Sequence, residues 1–427
     1  MNWSQKYGLR SYLKSSLWLV PFIAIPIELV VTRLLHGLDG WLGWALLGLT
    51  VQGAQALLGA FVTVTLSFVV FTFGSLLIAI QVASAQMTPR IIAPTLLRNG
   101  VVKYTVGLFI FTLMFMLSAQ NRMDKEVHQL VMLVAALLGI SCFAAFFYLI
   151  DYASRLLRPI SILAHVGNSG LEVIESVYPD LCLAADIRER DSIGLGAPDR
   201  VVQHQGASSI ILAVNLDQLI ADAERSNGVI EFVCQIGDFV SVDEPLFNLY
   251  GGTKMIDEER LRTSTALGSE RTMEQDPTFA FRIIVDIALK ALSPAINDPT
   301  TAVLAIDQLH RMLRNVGKRD LRTDELFDKS GRLRVIFRTP DWEDFVHLAF
   351  REIRACGSNH LQIVRRLRAM IENLVQTLPA RHHPALSEEL GLLDRDIERH
   401  FTYPEDLMLA RIADAQGLGG HSGTIKR

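Results

Sequence analysis

Cysteine is scarce in this chain of 427 residues, and its placement excludes several kinds of site. The four cysteines lie 40 or more residues apart and form no CxxC pair: Cys142, Cys182, Cys234 and Cys356. Disulfide frameworks and tetrahedral zinc sites are not built on such spacing. We therefore interpret these residues as reduced thiols, and we predict neither a metal site nor a cofactor.

Charged residues are also few, at 20% of the chain, against about 25% in an average soluble domain. Half of the residues are hydrophobic, and the mean hydropathy is +0.28. The formal net charge of −4 supplies no excess of basic residues for binding a phosphate backbone. The composition therefore predicts a membrane protein without a nucleic-acid partner.

Catalytic motifs are absent as well. The sequence contains no GxSxG nucleophile elbow, no phosphate-binding P-loop, no HExxH zinc motif and no EF-hand calcium loop. Each of these motifs places a nucleophile, a backbone cradle or metal ligands at the spacing that its chemistry requires. We therefore predict that the protein is not an enzyme.

Long apolar runs are what the chain does have, and nearly all of them precede residue 152. They occupy residues 16–32, 42–85, 101–119 and 130–150, and about 20 apolar helical residues cross a bilayer core. The second run has 44 residues, which is about twice that length. It is either two spans divided near Gly53 and Gly59, or an interfacial helix that leads into one span.

The basic residues favour four spans, near residues 15–35, 60–82, 101–120 and 130–152. In that arrangement eight basic residues flank the spans on one side and three on the other, and cytosolic loops carry such an excess. The larger set is Lys6, Arg10, Lys14, Arg90, Arg98, Lys103, Arg155 and Arg158, and the smaller is Arg33, Arg122 and Lys125. We therefore predict that both termini lie in the cytosol.

After residue 158 the composition becomes that of a soluble protein. Residues 159–255 are predicted to form a linker helix and a small β-module, because short β-forming runs are separated there by Asn-Gly and Gly-Asp turns. Residues 256–427 show helical spacing with breaks at Pro-containing loops. The predicted fold class is thus a membrane α-helical domain, residues 1–158, plus a cytosolic α+β domain with a helical C-terminal region.

Several strings resemble those of an uncharacterised family of bacterial predicted membrane proteins. They are QVASAQMTPRIIAPTLLR at residues 81–98, ILAVNLDQL at 211–219, IGDFVSVDEPL at 236–246 and DWEDFVHLAFREIRACG at 341–357. The most distinctive string is ALSPAINDPTTA, within residues 281–302. The resemblance covers nearly the whole chain. It implies four transmembrane helices and a cytosolic domain, but no particular chemistry. We predict a multi-pass protein of the bacterial inner membrane.

Polar residues of the second span fall on two opposed faces of an ideal helix. At 100° per residue, Thr63, Ser67, Gln81 and Ser84 share one face, and Thr65, Thr72, Ser75 and Gln86 share the other. Polar side chains inside a span either line a wet path or bond to neighbouring helices. We predict that the first set lines a pore, and packing of small residues is the equally weighted alternative.

Two further features of the membrane region are candidates for function. Glu28 is a carboxylate inside the first span, which is a functional candidate by default, and Arg33 lies about one turn away as its expected partner. A pair that merely anchors the span at the interface is the alternative. Pro89 ends the second span, and Arg90 and Arg98 form a basic collar beside it. We interpret this collar as an anchor that fixes the topology. A gate hinge is the alternative.

One loop of the soluble region is also a candidate site. Ser293, Asn297 and Asp298 lie between two predicted helices, and Asp286 lies seven residues before Ser293. Asp298 before Pro299 is a typical helix N-cap, so a rigid corner between helices explains these residues without a ligand. Binding at this loop is the alternative, because loops held by rigid elements often carry function.

These features together predict an oligomeric ion channel or ion-conducting pore that is regulated by its cytosolic domain. The partners expected are the lipid bilayer, inorganic ions and further copies of the chain. Four spans are few for a transporter built from inverted repeats, whereas a pore assembled from several subunits has no such requirement. The alternative is a membrane-anchored scaffold or sensor that transports nothing.

Overall fold

The chain is described by a computed structural model that covers residues 2–42, 48, 50–86, 100–122, 127–156, 158–181, 195–252, 255–321 and 324–419. It divides into two compact units. Residues 11–162 form the first, called here the apolar unit. Residues 163–427, grouped with residues 1–10, form the second, called here the C-terminal unit.

Among the described residues before 157 there are five helices, and four of them are long and apolar enough to cross a membrane. After a short amphipathic helix α1 (Trp3–Ser15) come α2 (Leu19–Leu42), α3 (Val51–Gln86), α4 (Gly100–Asn121) and α5 (Gln129–Leu156). The candidate spans within them are Leu19–Asp39, Val51–Val82, Gly100–Asn121 and Gln129–Arg155. The prediction of four apolar helices is therefore confirmed.

The second apolar run forms one helix over residues 51–86, with no break at Gly53 or Gly59. The alternative of two spans divided at these glycines is therefore wrong. Each glycine alone weakens a helix by only about 1 kcal/mol, which the surrounding apolar residues outweigh. At 36 residues, α3 is about 54 Å long, well beyond the bilayer core of about 30 Å.

Helix α4 is the centre of the apolar unit. Buried residues make up 56% of its apolar segment, against 11% in α3. Gly107 of α4 lets α2 approach closely, because a Cβ there would lie 2.7 Å from a Val20 methyl group. Gly139 of α5 does the same for Phe61 of α3. Small residues at helix contacts are typical of membrane bundles, where close packing replaces the hydrophobic effect as the source of association.

The C-terminal unit begins in α6 (Pro159–Val177), which follows α5 along the chain, and its described residues form eight strands. The remaining helices are α7 (Leu216–Ser226), α8 (Glu258–Arg262), α9 (Pro277–Leu292), α10 (Pro299–Val316), α11 (Trp342–Gly357), α12 (Leu361–Thr377), α13 (His383–His400) and α14 (Pro404–Ala410). The strands are β1 (Arg200–Gln203), β2 (Ser209–Val214), β3 (Val229–Phe232), β4 (Phe239–Val240), β5 (Pro245–Tyr250), β6 (Thr265–Gly268), β7 (Glu325–Phe327) and β8 (Leu333–Phe337).

The strands form two sheets, with orders β1-β5-β3-β8-β7 and β4-β2-β6. All pairs are antiparallel except β3 with β8, where Ile230 lies opposite Val335. Both sheets therefore take strands from each side of residue 255, where the sequence placed the boundary of the β-module. Strands β6, β7 and β8 have only three to five residues each, which is too short to show a period of two against the helical spacing around them.

Helices α9 and α10 form the buried centre of the C-terminal unit, and each begins in the same way. Asp276 caps α9 before Pro277, and Asp298 caps α10 before Pro299. The aspartate side chain accepts an otherwise unpaired N–H of the first turn, and proline at the first helical position has no N–H to leave unpaired. Gly170 brings α6 against both helices, because a Cβ there would meet Met312 and Ala280 within 3 Å.

Candidate functional site

The predicted pore face of α3 is exposed in the single chain. Thr63, Ser67 and Gln81 are all exposed, whereas the side chain of Ser84 lies outside the described residues. Gly74, which falls on the same face, has open space where a Cβ would be. Three polar residues and Gly74 on this face of α3 are therefore exposed within the single chain, and so are Val70 and Leu77 between them.

The hydroxyl groups of this face bond back to their own helix. Thr63 Oγ1 donates to the Gly59 carbonyl at 2.9 Å, and Ser67 Oγ donates to the Thr63 carbonyl at 2.8 Å. This leaves the oxygen lone pairs as the groups that face outward. An oxygen so placed can accept a hydrogen bond from water or replace part of the hydration shell of a cation.

The opposite face of α3 packs inside the apolar unit. Thr65 and Thr72 are 1% and 3% exposed, and Ser75 Oγ donates to the Thr72 carbonyl at 3.0 Å. Between them, the Phe68 ring stacks on Phe146 of α5 with centroids 4.2 Å apart. Thr65 and Thr72 are therefore packed as the sequence predicted for this face, whereas Ser75, predicted to share it, is exposed. The side chain of Gln86 lies outside the described residues.

Glu28 lies inside the apolar unit, at 2% exposure. Its carboxylate accepts a hydrogen bond of 2.7 Å from Thr32 Oγ1, and Thr32 is itself only 1% exposed. Arg33, the expected partner, is exposed instead. On a helix, residues four apart share a face and residues five apart do not, so Thr32 is the neighbour that reaches Glu28.

The polar line that begins at Glu28 continues toward the end of α2. His36 Nδ1 lies 2.7 Å from the Thr32 carbonyl, and its ring contacts that of His128 with centroids 4.7 Å apart. His128 Nδ1 lies 3.0 Å from Asp39 Oδ2, and Asp39 Oδ1 accepts the Leu130 N–H at the start of α5. Sequence reasoning missed the two histidines, although the spacing of four that places Glu28, Thr32 and His36 on one face was visible.

The predicted collar falls almost wholly outside the described residues. Pro89, Arg90 and Arg98 all lie within residues 87–99, which the structure does not describe. Lys103, the next basic residue, lies in the first turn of α4 and is 8% exposed. The collar therefore stays a prediction.

The predicted loop site brings three of its four residues together. Ser293 Oγ donates to the Lys290 carbonyl at 2.6 Å, and the Asn297 N–H donates to the Ser293 carbonyl at 2.8 Å. Asp298 accepts the Thr301 N–H at 3.1 Å and the Thr301 hydroxyl at 2.5 Å. Asp286 instead accepts a hydrogen bond of 2.7 Å from Arg282, which also pairs with Glu352 of α11. Helix capping thus occupies the polar groups of the corner.

Metal ligation has no cluster to support it within the described ranges. No group of three or more His, Cys, Asp or Glu residues is placed there to hold an ion. The polar line of Glu28, His36, His128 and Asp39 is extended along α2 and does not converge on one point as metal ligands do.

The described residues form four apolar helices followed by a large domain of helices and two small sheets, which defines a membrane protein with a folded C-terminal domain. The chain belongs to the family described as Predicted membrane protein (DUF2254), whose model matches residues 14–373. The resemblance seen in the sequence strings is thereby confirmed at the level of the family.

The chain is also similar to uncharacterized proteins of Mycobacterium tuberculosis (strains CDC 1551 and H37Rv) and Mycobacterium bovis. Each is 23% identical over 444 aligned positions, which cover 99% of this chain and 84% of the relative. No solved structure matches.

Proposed function

We propose that the protein is a homo-oligomeric ion-conducting pore of the bacterial inner membrane. Helix α3 would line the path, and the C-terminal unit would lie in the cytosol and regulate conduction. The observation that carries this proposal is the stripe of Thr63, Ser67, Gly74 and Gln81, which is exposed while Thr65 and Thr72 on the opposite face are buried.

The length of the stripe supports a path across the whole membrane. Thr63 and Gln81 are 18 residues apart, which corresponds to about 27 Å along a helix. The hydrocarbon core is about 30 Å thick. Polar side chains therefore stand near both ends of the depth that an ion has to cross, Thr63 and Ser67 at one end and Gln81 at the other.

The same exposure supports assembly from several chains. Within the described residues of a single chain, Thr63, Ser67 and Gln81 are exposed. Copies arranged about a symmetry axis, as in most homo-oligomers, would bring the stripes together around a common space. Each polar position would then supply a ring of oxygen ligands.

A membrane-anchored scaffold or sensor is the second candidate, and one observation favours it. Thr63 and Ser67 satisfy their hydroxyl hydrogens on their own helix. This is also how such residues are accommodated when they face lipid, where unpaired polar groups are costly. The four helices would then serve only to hold the C-terminal unit at the membrane.

Ion flux distinguishes the two candidates. The purified full chain would be reconstituted in liposomes, and flux of K⁺, Na⁺, H⁺ and Cl⁻ would be followed with ion-specific dyes, together with the size of the assembly. The pore proposal expects flux that Gln81→Leu reduces and the conservative Gln81→Asn retains, with assembly unchanged in both. An assembled parent protein that passes none of these ions would establish the scaffold instead.

A further inference from the structure

The C-terminal unit contains a cavity of about 170 Å³ at the end of α6. Five separate segments meet there: the end of α6, the link from β2 to α7, the loop after β3, the start of α9 and the link from β8 to α11. The lining residues include Tyr178, Val214, Ile236, Asp276 and Arg338. An apolar cavity of about 150 Å³ is enough to hold benzene, so this one has room for a small organic molecule.

Asp276 is the acidic residue of the cavity lining, and it is 2% exposed. Its Oδ1 accepts the Phe279 N–H at 3.0 Å and the Thr278 hydroxyl at 2.5 Å. Its Oδ2 is buried and has no hydrogen-bond partner among the described residues. Burial raises the pKa of this carboxyl above its ordinary value, although Thr278 and Arg271 oppose the shift. A buried carboxylate oxygen without a donor is costly.

Helix capping explains only one of the two oxygens of Asp276. Asp298 occupies the same capping position before Pro299, and there both oxygens are bonded, Oδ1 to the Thr301 N–H and Oδ2 to the Thr301 hydroxyl. Capping therefore requires no unpaired oxygen. Oδ2 lies close to the turn at Gly237, where a Cβ would be 2.6 Å from it and 3.4 Å from the Arg271 guanidinium carbon.

Arg338 also lines the cavity, and its charge is opposite to that of Asp276. It is exposed, and within the described part of the chain no ion pair or hydrogen bond is formed by its side chain. The rest of the lining is largely apolar and includes Val177, Val214, Ile236 and Phe337. The lining thus combines a buried anionic acceptor, an exposed cationic donor and an apolar surface.

We infer that this cavity binds a small zwitterion with an apolar side chain, of the α-amino acid class. Its ammonium group donates to Asp276 Oδ2, its carboxylate accepts from the Arg338 guanidinium, and its side chain contacts the apolar wall. The ammonium group supplies the donor that Oδ2 lacks. Hydrogen bonds between charged groups are about twice as strong as neutral ones, so both ends of the ligand are recognised.

Such a ligand would contact Val177 and Tyr178 at the end of α6, the helix that follows α5 along the chain. Tyr178 is already held by the C-terminal unit, because Arg319 donates to its carbonyl at 2.8 Å. Binding would therefore stabilise one position of the end of α6. An effect on conduction rests on the proposed pore, whereas the binding site itself does not.

The test is a binding measurement on the full chain in lipid nanodiscs, by calorimetry with L-leucine as the probe. Isocaproate lacks the ammonium group, isopentylammonium lacks the carboxylate, and glycine lacks the apolar side chain. We expect each of the three to bind at least about tenfold more weakly than L-leucine, since one charged hydrogen bond or one buried side chain is lost.

The variants test the two charged residues separately. Asp276→Asn keeps a capping oxygen and removes the charge, Arg338→Gln removes the guanidinium, and Asp298→Asn is the matched capping control. We expect weaker L-leucine binding by at least about tenfold in the first two, and parental binding in the third. Absence of L-leucine binding to the folded parent at millimolar concentration, or parental affinity in Asp276→Asn, would overturn the inference. Either result is independent of whether the protein conducts ions.

Discussion

Replacing Ser67 by leucine should impair conduction without lowering the stability of the single chain. Ser67 is exposed, and among the described residues its hydroxyl bonds to the Thr63 carbonyl of its own helix. Surface substitutions away from packing contacts change stability by no more than about 0.5 kcal/mol. Thr65, two residues earlier, is 1% exposed, and adding a larger side chain to a packed position costs about 1–3 kcal/mol. Only Thr65→Leu should therefore destabilise the fold.

Conduction should be reduced by Ser67→Leu and not by Thr65→Leu, which is the reverse of their expected effects on stability. In an oligomer, Ser67→Leu places a ring of apolar side chains where hydroxyl oxygens had faced the path, and apolar constrictions favour dewetting. A barrier increase of only about 1.4 kcal/mol reduces a rate tenfold. We therefore expect Ser67→Leu to reduce flux per assembled protein at least tenfold. Correctly folded Thr65→Leu protein should conduct normally, because its substitution lies on the packed face.

The assays are ion flux in proteoliposomes, unfolding monitored during titration with a denaturing detergent, and assembly size by light scattering. All three are made on the same protein samples, so that reduced flux is not confused with lost assembly. If Ser67→Leu unfolds more easily than the parent, or conducts as well as the parent, the assignment of this face of α3 to a water-filled path is refuted.

Three other predictions concern topology, the polar line of α2 and the cavity of the C-terminal unit. A reporter active only in the cytosol should give signal when fused after Arg158 and none when fused after Asn121; the reverse pattern would invert the proposed orientation. Thr32→Val removes the only hydrogen bond to Glu28 among the described residues and should cost about 1.5–3 kcal/mol in detergent unfolding; a neutral effect would show that the carboxylate does not need this donor. Asp276 has a raised pKa, so its stabilising contribution is present below its unfolded pKa and lost as pH rises through the folded value. Asp276→Asn should therefore raise the melting temperature at neutral pH, with the gain vanishing toward pH 3; a gain that persists at acid pH would contradict this.

The four apolar helices could be predicted because their signal is local. A run of about 20 apolar residues needs no knowledge of its neighbours to be recognised as a span. The sequence predicts that the second span begins near residue 60, whereas α3 begins at Val51. The difference arises because Gln52, Gly53 and Gln55 lower the hydropathy of this segment without breaking the helix. Helical periodicity likewise indicated the two faces of α3 before their burial was known.

Features that depend on distant parts of the chain could not be predicted in the same way. The pairing of β3 with β8 joins residues about a hundred positions apart, and neither strand shows what it pairs with. Asp276 looks like an ordinary helix cap in the sequence. Its unpaired oxygen becomes visible only when α6, the loop after β3 and the link after β8 surround it. The contact between His36 and His128 is hidden for the same reason.

The most direct test of the pore is the access of water to Ser67 in the membrane. Ser141 of α5 is the matched position, because it is also exposed and its hydroxyl also bonds to its own helix, at 2.8 Å to the Leu137 carbonyl. In a chain whose native cysteines are replaced by alanine, Ser67→Cys and Ser141→Cys would be treated with a charged thiol reagent during flux recording. Thiols react as thiolates, which form in water and not in lipid. We expect rapid modification and block of flux for Ser67→Cys alone. Absence of reaction at both positions, or modification of Ser67→Cys without any loss of flux, would contradict a pore lined by α3.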